Sequence, residues 1–311
     1  MADAGNRKSP SLCAKRKASR VAQLCLALVA LVGWSVAWRP AEAQEKSLLW
    51  KISKAENSIF LLGSIHYLRQ DNYPLNQVIL DAFAASKKLV LEIDLNNSAG
   101  AAVQKVALDK ALYRDGTNLP QNVSEETYRL ATQRATELGL DMRILNPMKP
   151  WFVSITMLAI NLQRLGFDPK FGVDRYLAAR AKETGKPTSG LETLEFQLGL
   201  FDQLSKEQQE SMLRETVGEL GRLGQNIDDI VQAWVQGDGD RLAELLLTGM
   251  QEYPDLQQKI IVERNRRWLT EIEGLIQQGS GAMVVVGAAH LVGKEGVVAM
   301  LQASGYTVEQ K

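Results

Sequence analysis

Two short apolar runs separated by polar residues occur shortly after residue 47. Residues 48–52 and 59–62 predict two adjacent strands or a hairpin. Apolar residues then recur at helical spacing after Pro74, and residues 89–91 predict another strand, which ends at Glu92. Strand, helix and strand in this order begin a βαβ unit.

The middle of the chain is patterned mainly as helix. Helical spacing runs through residues 103–112, 125–138, 148–165 and 172–184, and Ser205-x-x-Gln208 is a plausible capping box. Residues 282–286 then form a dense apolar strand, followed by a helix and a terminal strand. The sequence therefore predicts an α/β (α+β-like) fold, with a central mixed sheet built from the N- and C-terminal segments. A large helical insertion, at about residues 100–280, is expected to cap the sheet.

The first 43 residues have the pattern of a secretory signal peptide. A basic run is followed by the apolar stretch 21–38 and by Ala41-Glu42-Ala43, which predicts cleavage after Ala43. The apolar stretch is long, so an uncleaved membrane anchor is the alternative. We expect an exported protein, periplasmic or secreted, with one domain over residues 44–311 and membrane contact only through an uncleaved leader.

Removal of this segment changes the charge and the cysteine content. Seven of the 36 basic and two of the 36 acidic residues lie within 1–43, which leaves 29 and 34, a net charge of −5. A mildly acidic body without a basic stripe argues against nucleic acid as a partner. Cys13 and Cys25 also lie in the leader, so the mature chain is expected to use neither a disulfide nor a cysteine nucleophile.

The only two histidines, His66 and His290, share a local pattern. Each follows an apolar strand in a Gly-x-x-His motif, with Gly63 before the first and Gly287 before the second. Ligands of open α/β sheets bind beyond the carboxyl ends of the strands, where glycine permits a sharp turn and close approach. A single histidine there is often only a hydrogen-bonded structural residue, but the repeated pattern favours one shared site.

Acidic residues end two further predicted strands, Glu92 on the third and Glu192 on a possible fourth. Two imidazoles and one or two carboxylates at one edge suit a divalent metal such as Mn, Fe, Co or Zn. Structural interpretations stay open: Glu92 could cap a helix, Asp94 could take its place, and Glu192 could cap the helix that begins at Thr193.

A charged run, residues 263–267, lies on a predicted helix shortly before the last apolar strand. A solvated face explains Arg266 and Arg267. For Arg264 and Asn265 two interpretations stay open. They belong to the same solvated face, or they reach the site and stabilise an oxyanion. Motifs of other hydrolases and of nucleotide-binding proteins, such as G-x-S-x-G, H-E-x-x-H and the P-loop, do not occur.

Taken together, these motifs resemble the TraB/GumN family, which includes pheromone-shutdown proteins and the TIKI Wnt-inactivating proteases. The resemblance extends from about Leu48 to the C-terminus. Its marks are Leu62-Gly63-Ser64-Ile65-His66, Leu91-Glu92, Lys149-Pro150-Trp151, Gly172-Val173-Asp174, Gly190-Leu191-Glu192-Thr193-Leu194-Glu195-Phe196-Gln197, Arg264-Asn265 and Gly287-Ala288-Ala289-His290-Leu291-Val292-Gly293.

This resemblance implies an α/β core related to erythromycin esterases and ChaN-like haem-binding proteins. Through the TIKI branch it also implies a metal-dependent peptidase that needs both histidines and an acid. We therefore predict a hydrolase in which His66, Glu92 and His290 hold Mn, Co or Zn and activate water. Glu92, Glu192, Arg264 and Asn265 are the predicted catalytic residues, and the substrate is a peptide or protein. The alternatives are a non-catalytic haem- or metal-binding protein and an accessory envelope protein.

Overall fold

The computed structural model describes residues 46–96, 101–248 and 254–311. The predicted signal peptide, residues 1–43, lies outside the described residues. Within the described ranges, no helix is both long enough and apolar enough to cross a membrane.

The predicted hairpin is confirmed and forms one side of a six-stranded sheet. β1 (Leu49–Lys54) pairs antiparallel with β2 (Asn57–Ser64), and Leu49 lies opposite Leu62. Leu49, Trp50 and Ile52 of β1 are buried, so both faces of this strand are covered near its start. α1 (Gln77–Ala85) follows, capped by the Asn76 side chain.

Four further strands complete the sheet: β3 (Lys88–Ile93), β4 (Thr188–Glu192), β5 (Ala282–Gly287) and β6 (Thr307–Gln310). The order across the sheet is β4-β3-β5-β2-β1-β6. β5 runs parallel to both β2 and β3, and β4 runs parallel to β3, whereas β6 pairs antiparallel with β1. The carboxyl ends of β2, β5, β3 and β4 therefore share one edge.

β5 explains why the sheet needs both ends of the chain. This strand comes late in the sequence but lies between β2 and β3, and residues 282–286 are at most 1% exposed. A strand covered on both faces favours a continuous apolar run, which is what these residues supply. The prediction of a mixed α/β fold with a sheet drawn from both ends is confirmed. β4 adds an edge strand from the middle of the chain.

Helices fill the segments between β3 and β4 and between β4 and β5. The helix that begins at Glu125 and the helix capped by Ser205 start at the predicted positions. Gly185, with φ 68°, ends the helix predicted over residues 172–184. The first segment contains α2 (Ala101–Ala111), α3 (Leu119–Asn122), α4 (Glu125–Glu137), α5 (Met142–Leu145), α6 (Pro150–Arg164) and α7 (Val173–Thr184). The second contains α8 (Leu194–Asp202), α9 (Lys206–Glu219), α10 (Leu223–Val235), α11 (Gly239–Leu247), α12 (Pro254–Gln257) and α13 (Glu263–Gln277).

Two apolar cores hold these elements. The larger one joins the sheet to α1, α7, α10, α11, α13 and the last helix, α14 (Val297–Ala303). The smaller one packs α4, α6 and α9 together through residues such as Ala131, Met157 and Leu213. α10 is tied to the sheet by Trp234, whose indole Nε1 donates to the Gly63 carbonyl at 2.7 Å. This hydrogen bond holds α10 close to the carboxyl end of β2.

Candidate active site

The parallel strands bring the predicted site residues to one edge of the sheet. His66 lies two residues beyond β2, and His290 ends a short 3-10 helix that directly follows β5. Glu92 is the last but one residue of β3, and Glu192 ends β4. Ser64 is in register with Gly287, and Ile93 with Glu192, so the four strands end level with one another.

Gly287 lies at the centre of this group. A β-carbon placed on it would lie 3.2 Å from Glu92 Oε1, 3.5 Å from His66 Nε2 and 3.7 Å from His290 Cδ2. The Gly287 N–H donates to Glu92 Oε1 at 2.6 Å. The backbone φ of Gly287 is −53°, so the glycine serves close approach and not an unusual conformation.

Arg264, near the start of α13, links three of the predicted residues. Its Nη2 is 2.6 Å from Glu92 Oε2 and 2.9 Å from Glu192 Oε2, and its Nε donates to Glu192 Oε2 at 3.0 Å. Its Nη1 donates to the Ile260 carbonyl at 3.2 Å and lies 3.0 Å from His290 Nε2. Four of the five N–H groups of the guanidinium thus donate hydrogen bonds within the protein, and Nη2 is also within ion-pair distance of Glu192 Oε2. These contacts hold the guanidinium among the carboxylates, so an oxyanion role for Arg264 would compete with them.

His290 is a buried imidazole with both ring nitrogens occupied. Asn265 Nδ2 donates to the Glu295 carbonyl, which leaves Asn265 Oδ1 to accept from His290 Nδ1 at 2.7 Å. This network assigns the proton to Nδ1, so Nε2 accepts from Arg264. Trp268 packs against the ring, with 4.5 Å between centroids. Burial is the main cause that lowers the pKa of His290, to about 3, so the ring is neutral at pH 7.

His66 has the opposite surroundings. Its side chain is 54% exposed, and its Nδ1 lies 3.3 Å from Asp174 Oδ1, in the first turn of α7. Desolvation opposes its protonation, but Asp174 and then Glu92 outweigh that effect and raise the pKa of His66 to about 9. The imidazolium is therefore favoured at neutral pH, and its Nε2 faces the space where Gly287 has no side chain.

Glu92 is ionised although its side chain is only 13% exposed. Burial would raise its pKa, but the neighbouring His290, His66 and Arg264 and the Gly287 N–H together lower it to about 2. A buried carboxylate remains charged only where such partners compensate for the lost water. Arg264 and this carboxylate thus form a buried ion pair within the site.

Three residues that the sequence did not assign to the site contact it. Asp174 orients His66, and Gln197 Nε2 donates to Glu92 Oε2 at 3.0 Å and to Glu192 Oε2 at 3.2 Å. Both residues occur in motifs that carried the family resemblance, which was the available signal. Arg267 is 48% exposed in its side chain, as expected of a solvated face, and its Nη2 also lies 3.0 Å from Glu192 Oε1.

The other assignments have mixed outcomes. Arg266 is 61% exposed in its side chain, as expected of a solvated face. Asp94 accepts a hydrogen bond from Thr188 Oγ1 at 2.9 Å, and Glu92, not Asp94, lines the cavity at the sheet edge. Glu192 caps no helix in these contacts; Thr193 caps α8 by accepting from the Phe196 N–H.

A cavity of about 380 Å³ opens on these groups. The sheet edge contributes Ser64, His66, Glu92, Gly287 and His290 to its wall, and Arg264 is also exposed to it. Helices supply the rest, mainly with apolar side chains. Small-molecule sites have this construction: an apolar concavity with a few convergent polar groups.

As arranged, the predicted ligand set does not fit a metal ion. Two imidazoles and a carboxylate are suitable donors in principle. However, His290 Nε2 and Glu92 Oε2 accept hydrogen bonds from Arg264, and Glu92 Oε1 accepts one from Gly287. Across the described ranges, no group of three or more His, Cys, Asp or Glu side chains is placed to hold a metal. Loading a metal would require the Arg264 guanidinium to withdraw.

Comparison with known proteins decides the family. The model of the TraB/PrgY/gumN family matches residues 48–310, which include every site residue named above. The chain belongs to the TraB/PrgY/gumN family. The YbaP proteins of Escherichia coli and Shigella flexneri are each 23% identical over 78% of this chain and 87% of their own length. A Treponema pallidum protein is 24% identical over 93% of this chain and 92% of its own.

These TraB/PrgY/gumN relatives carry no activity in their names, so they extend the family but not the chemistry. No solved structure matches the chain. The chemistry of this member must therefore be argued from its own site.

Proposed function

We propose that this TraB/PrgY/gumN member is a hydrolase that cleaves the acyl C–O bond of an ester or the acyl C–N bond of a peptide at the cavity of His66. The observation that carries the proposal is the exposed His66–Asp174 pair. His66 Nε2 lies beside Gly287 at the cavity, and Asp174 Oδ1 lies 3.3 Å from its Nδ1, a spacing that suits a general base with a carboxylate behind it. His290 has no free ring nitrogen and serves as a positioning residue.

The reaction follows from these roles. Neutral His66 accepts a proton at Nε2 from a water molecule, whose oxygen attacks the carbonyl carbon. Asp174 stabilises the imidazolium that forms. When the tetrahedral intermediate collapses, the bond to the leaving group breaks, and Nε2 returns the proton to that group. Arg264, Asn265 and Gln197 keep Glu92, Glu192 and His290 in place around the reacting centre.

The metal-dependent form of this hypothesis stays a prediction. Because the lone pairs of His290 and Glu92 are engaged, we derive no step through Mn, Co or Zn. The peptide substrate, the exported location and the kinship of the fold with erythromycin esterases and ChaN likewise remain predictions. A haem- or metal-binding role without hydrolysis is the alternative that the same experiment addresses.

Hydrolysis of p-nitrophenyl esters and of a fluorogenic peptide library by the purified chain tests the proposal, with metal content measured on the same sample. We expect turnover that survives chelation by EDTA and falls about 10²–10⁴-fold in His66→Ala. Arg143→Ala is the matched control, because the Arg143 side chain is 88% exposed and pairs only with Asp141 among the contacts described.

Two results would contradict the proposal. Full activity in His66→Ala would remove the base. Turnover that disappears with EDTA and returns with Mn, Co or Zn would replace the metal-free reaction by the metal-dependent one. A Soret band in the purified chain without turnover would favour the haem-binding alternative.

A further inference from the structure

The wall of the active-site cavity is divided by chemistry. The polar groups come from the sheet edge, Tyr67 just beyond it, the start of α13 and Gln197 of α8. The rest of the helical wall, from α6, α8, α10, α11 and the π-helical segment before α13, faces the same space with hydrocarbon. Seven large apolar side chains line this helical part: Leu162, Leu200, Phe201, Ile227, Ile230, Leu246 and Ile260.

Such a wall discriminates between substrate classes. A peptide that entered the helical part would bring backbone N–H and C=O groups, which need partners once they leave water. The seven apolar side chains offer none, and the Gln197 amide N–H groups of α8 already donate to Glu92 and Glu192. A hydrocarbon chain has no such need and gains affinity with every methylene that it buries.

We infer that the substrate is an acyl ester whose hydrocarbon chain occupies the helical part of the cavity while its carbonyl lies beside His66. This inference rests on the proposed hydrolase function and adds the substrate class. A volume of about 380 Å³ lies near the lower end of the range for small-molecule sites. We therefore expect an acyl chain of medium length.

The experiment measures kcat/KM for p-nitrophenyl esters from acetate to dodecanoate, beside peptides and aminoacyl anilides with apolar side chains. Each added methylene is expected to raise kcat/KM roughly four-fold at most, until the chain fills the cavity. Beyond that length the value should stop rising or fall.

A paired substitution on α10 locates the effect. Ile230 lines the cavity, whereas Val235 is on the same helix, 53% exposed and outside the lining. Ile230→Trp should lower the ratio of the decanoate to the acetate kcat/KM by about ten-fold or more, since the indole takes up chain space. Val235→Trp should leave the ratio unchanged. Decanoate binding by calorimetry gives a second readout that should weaken only in Ile230→Trp, and thermal melts confirm that both variants fold.

The outcomes separate the inference from the function beneath it. Equal kcat/KM at all chain lengths, or a ratio unaffected by Ile230→Trp, would overturn the acyl chain and leave the hydrolase. Cleavage of peptides in preference to every ester would assign the cavity to a peptide. No turnover of any ester or peptide would remove the proposed function and the substrate class with it.

Discussion

His66 and His290 follow the same Gly-x-x-His pattern at the ends of neighbouring parallel strands, yet the protein treats them differently. His66 is 54% exposed in its side chain and paired with Asp174, and its pKa is raised to about 9. His290 is 5% exposed and held between Asn265 and Arg264, and its pKa is lowered to about 3. One local motif thus supplies an accessible base and a buried anchor. Burial and charged neighbours decide which role each imidazole takes.

The largest effect is expected when Arg264, the cation beside His290, is removed. Arg264→Met leaves Glu92 and Glu192 buried without their partner and should lower the free energy of unfolding by about 3–5 kcal/mol. Arg267→Met is the control on the same helix. Because Arg267 is 48% exposed, its ion pair with Glu192 should be worth no more than about 1 kcal/mol. Urea unfolding measures both, and equal losses would contradict the anchoring role of Arg264.

The pH dependence of stability should separate the two histidines. His290 has a lowered pKa, so its contribution is present above its ordinary value of 6.5 and is lost as the pH falls from 6.5 towards 3. His66 has a raised pKa, so its contribution is present below 6.5 and is lost as the pH rises through about 9. Glu92 adds a loss below its ordinary 4.5, as the pH falls towards 2.

Replacing each histidine singly by a neutral residue tests these pH ranges, with the free energy of unfolding measured at a series of pH values. His290→Gln should flatten the change between pH 4.5 and 6.5, whereas His66→Gln should flatten the change between pH 6.5 and 9. Flattening over the same pH range in both variants would show that the two imidazoles do not differ as described.

A smaller effect is expected when Asp174 loses its charge. Asp174→Asn keeps the size of the side chain but removes the main cause that raises the pKa of His66. The ascending limb of kcat/KM against pH, expected near pH 9 in the wild type, should move to lower pH by about 1–2 units. A merely structural role for Asp174 would lower activity without moving this limb.

The smallest effect is expected when a methyl group fills the space that Gly287 leaves between His66 and His290. Gly287→Ala places a methyl group 3.2 Å from Glu92 Oε1 and 3.5 Å from His66 Nε2, which should cost about 1 kcal/mol of stability or somewhat more. It should also reduce kcat/KM, because the methyl group takes space beside His66 Nε2. Gly218→Ala is the control, since a β-carbon there meets nothing within 4 Å. Wild-type kcat/KM in Gly287→Ala would place the reaction elsewhere.

Much of the fold could be predicted from local pattern. The hairpin follows from two apolar runs separated by polar residues, the buried strand β5 from a dense apolar run, and the capped start of α9 from Ser205-x-x-Gln208. All three signals are carried by a few neighbouring residues. The strand that ends at Glu192 was predicted, but the position of β5 between β2 and β3 and that of β4 beside β3 were not. Strand order depends on pairings between residues far apart in sequence.

The candidate site divides in the same way. Residues that end parallel strands must meet at one sheet edge, so His66, Glu92, Glu192 and His290 could be grouped from sequence. The proton positions on the two imidazoles could not, because they depend on Asp174 from α7 and on Arg264 and Asn265 from α13. Burial, charge and hydrogen-bond direction at a site are sums over groups brought together by packing. A sequence names these groups, but the tertiary structure decides which of them face one another.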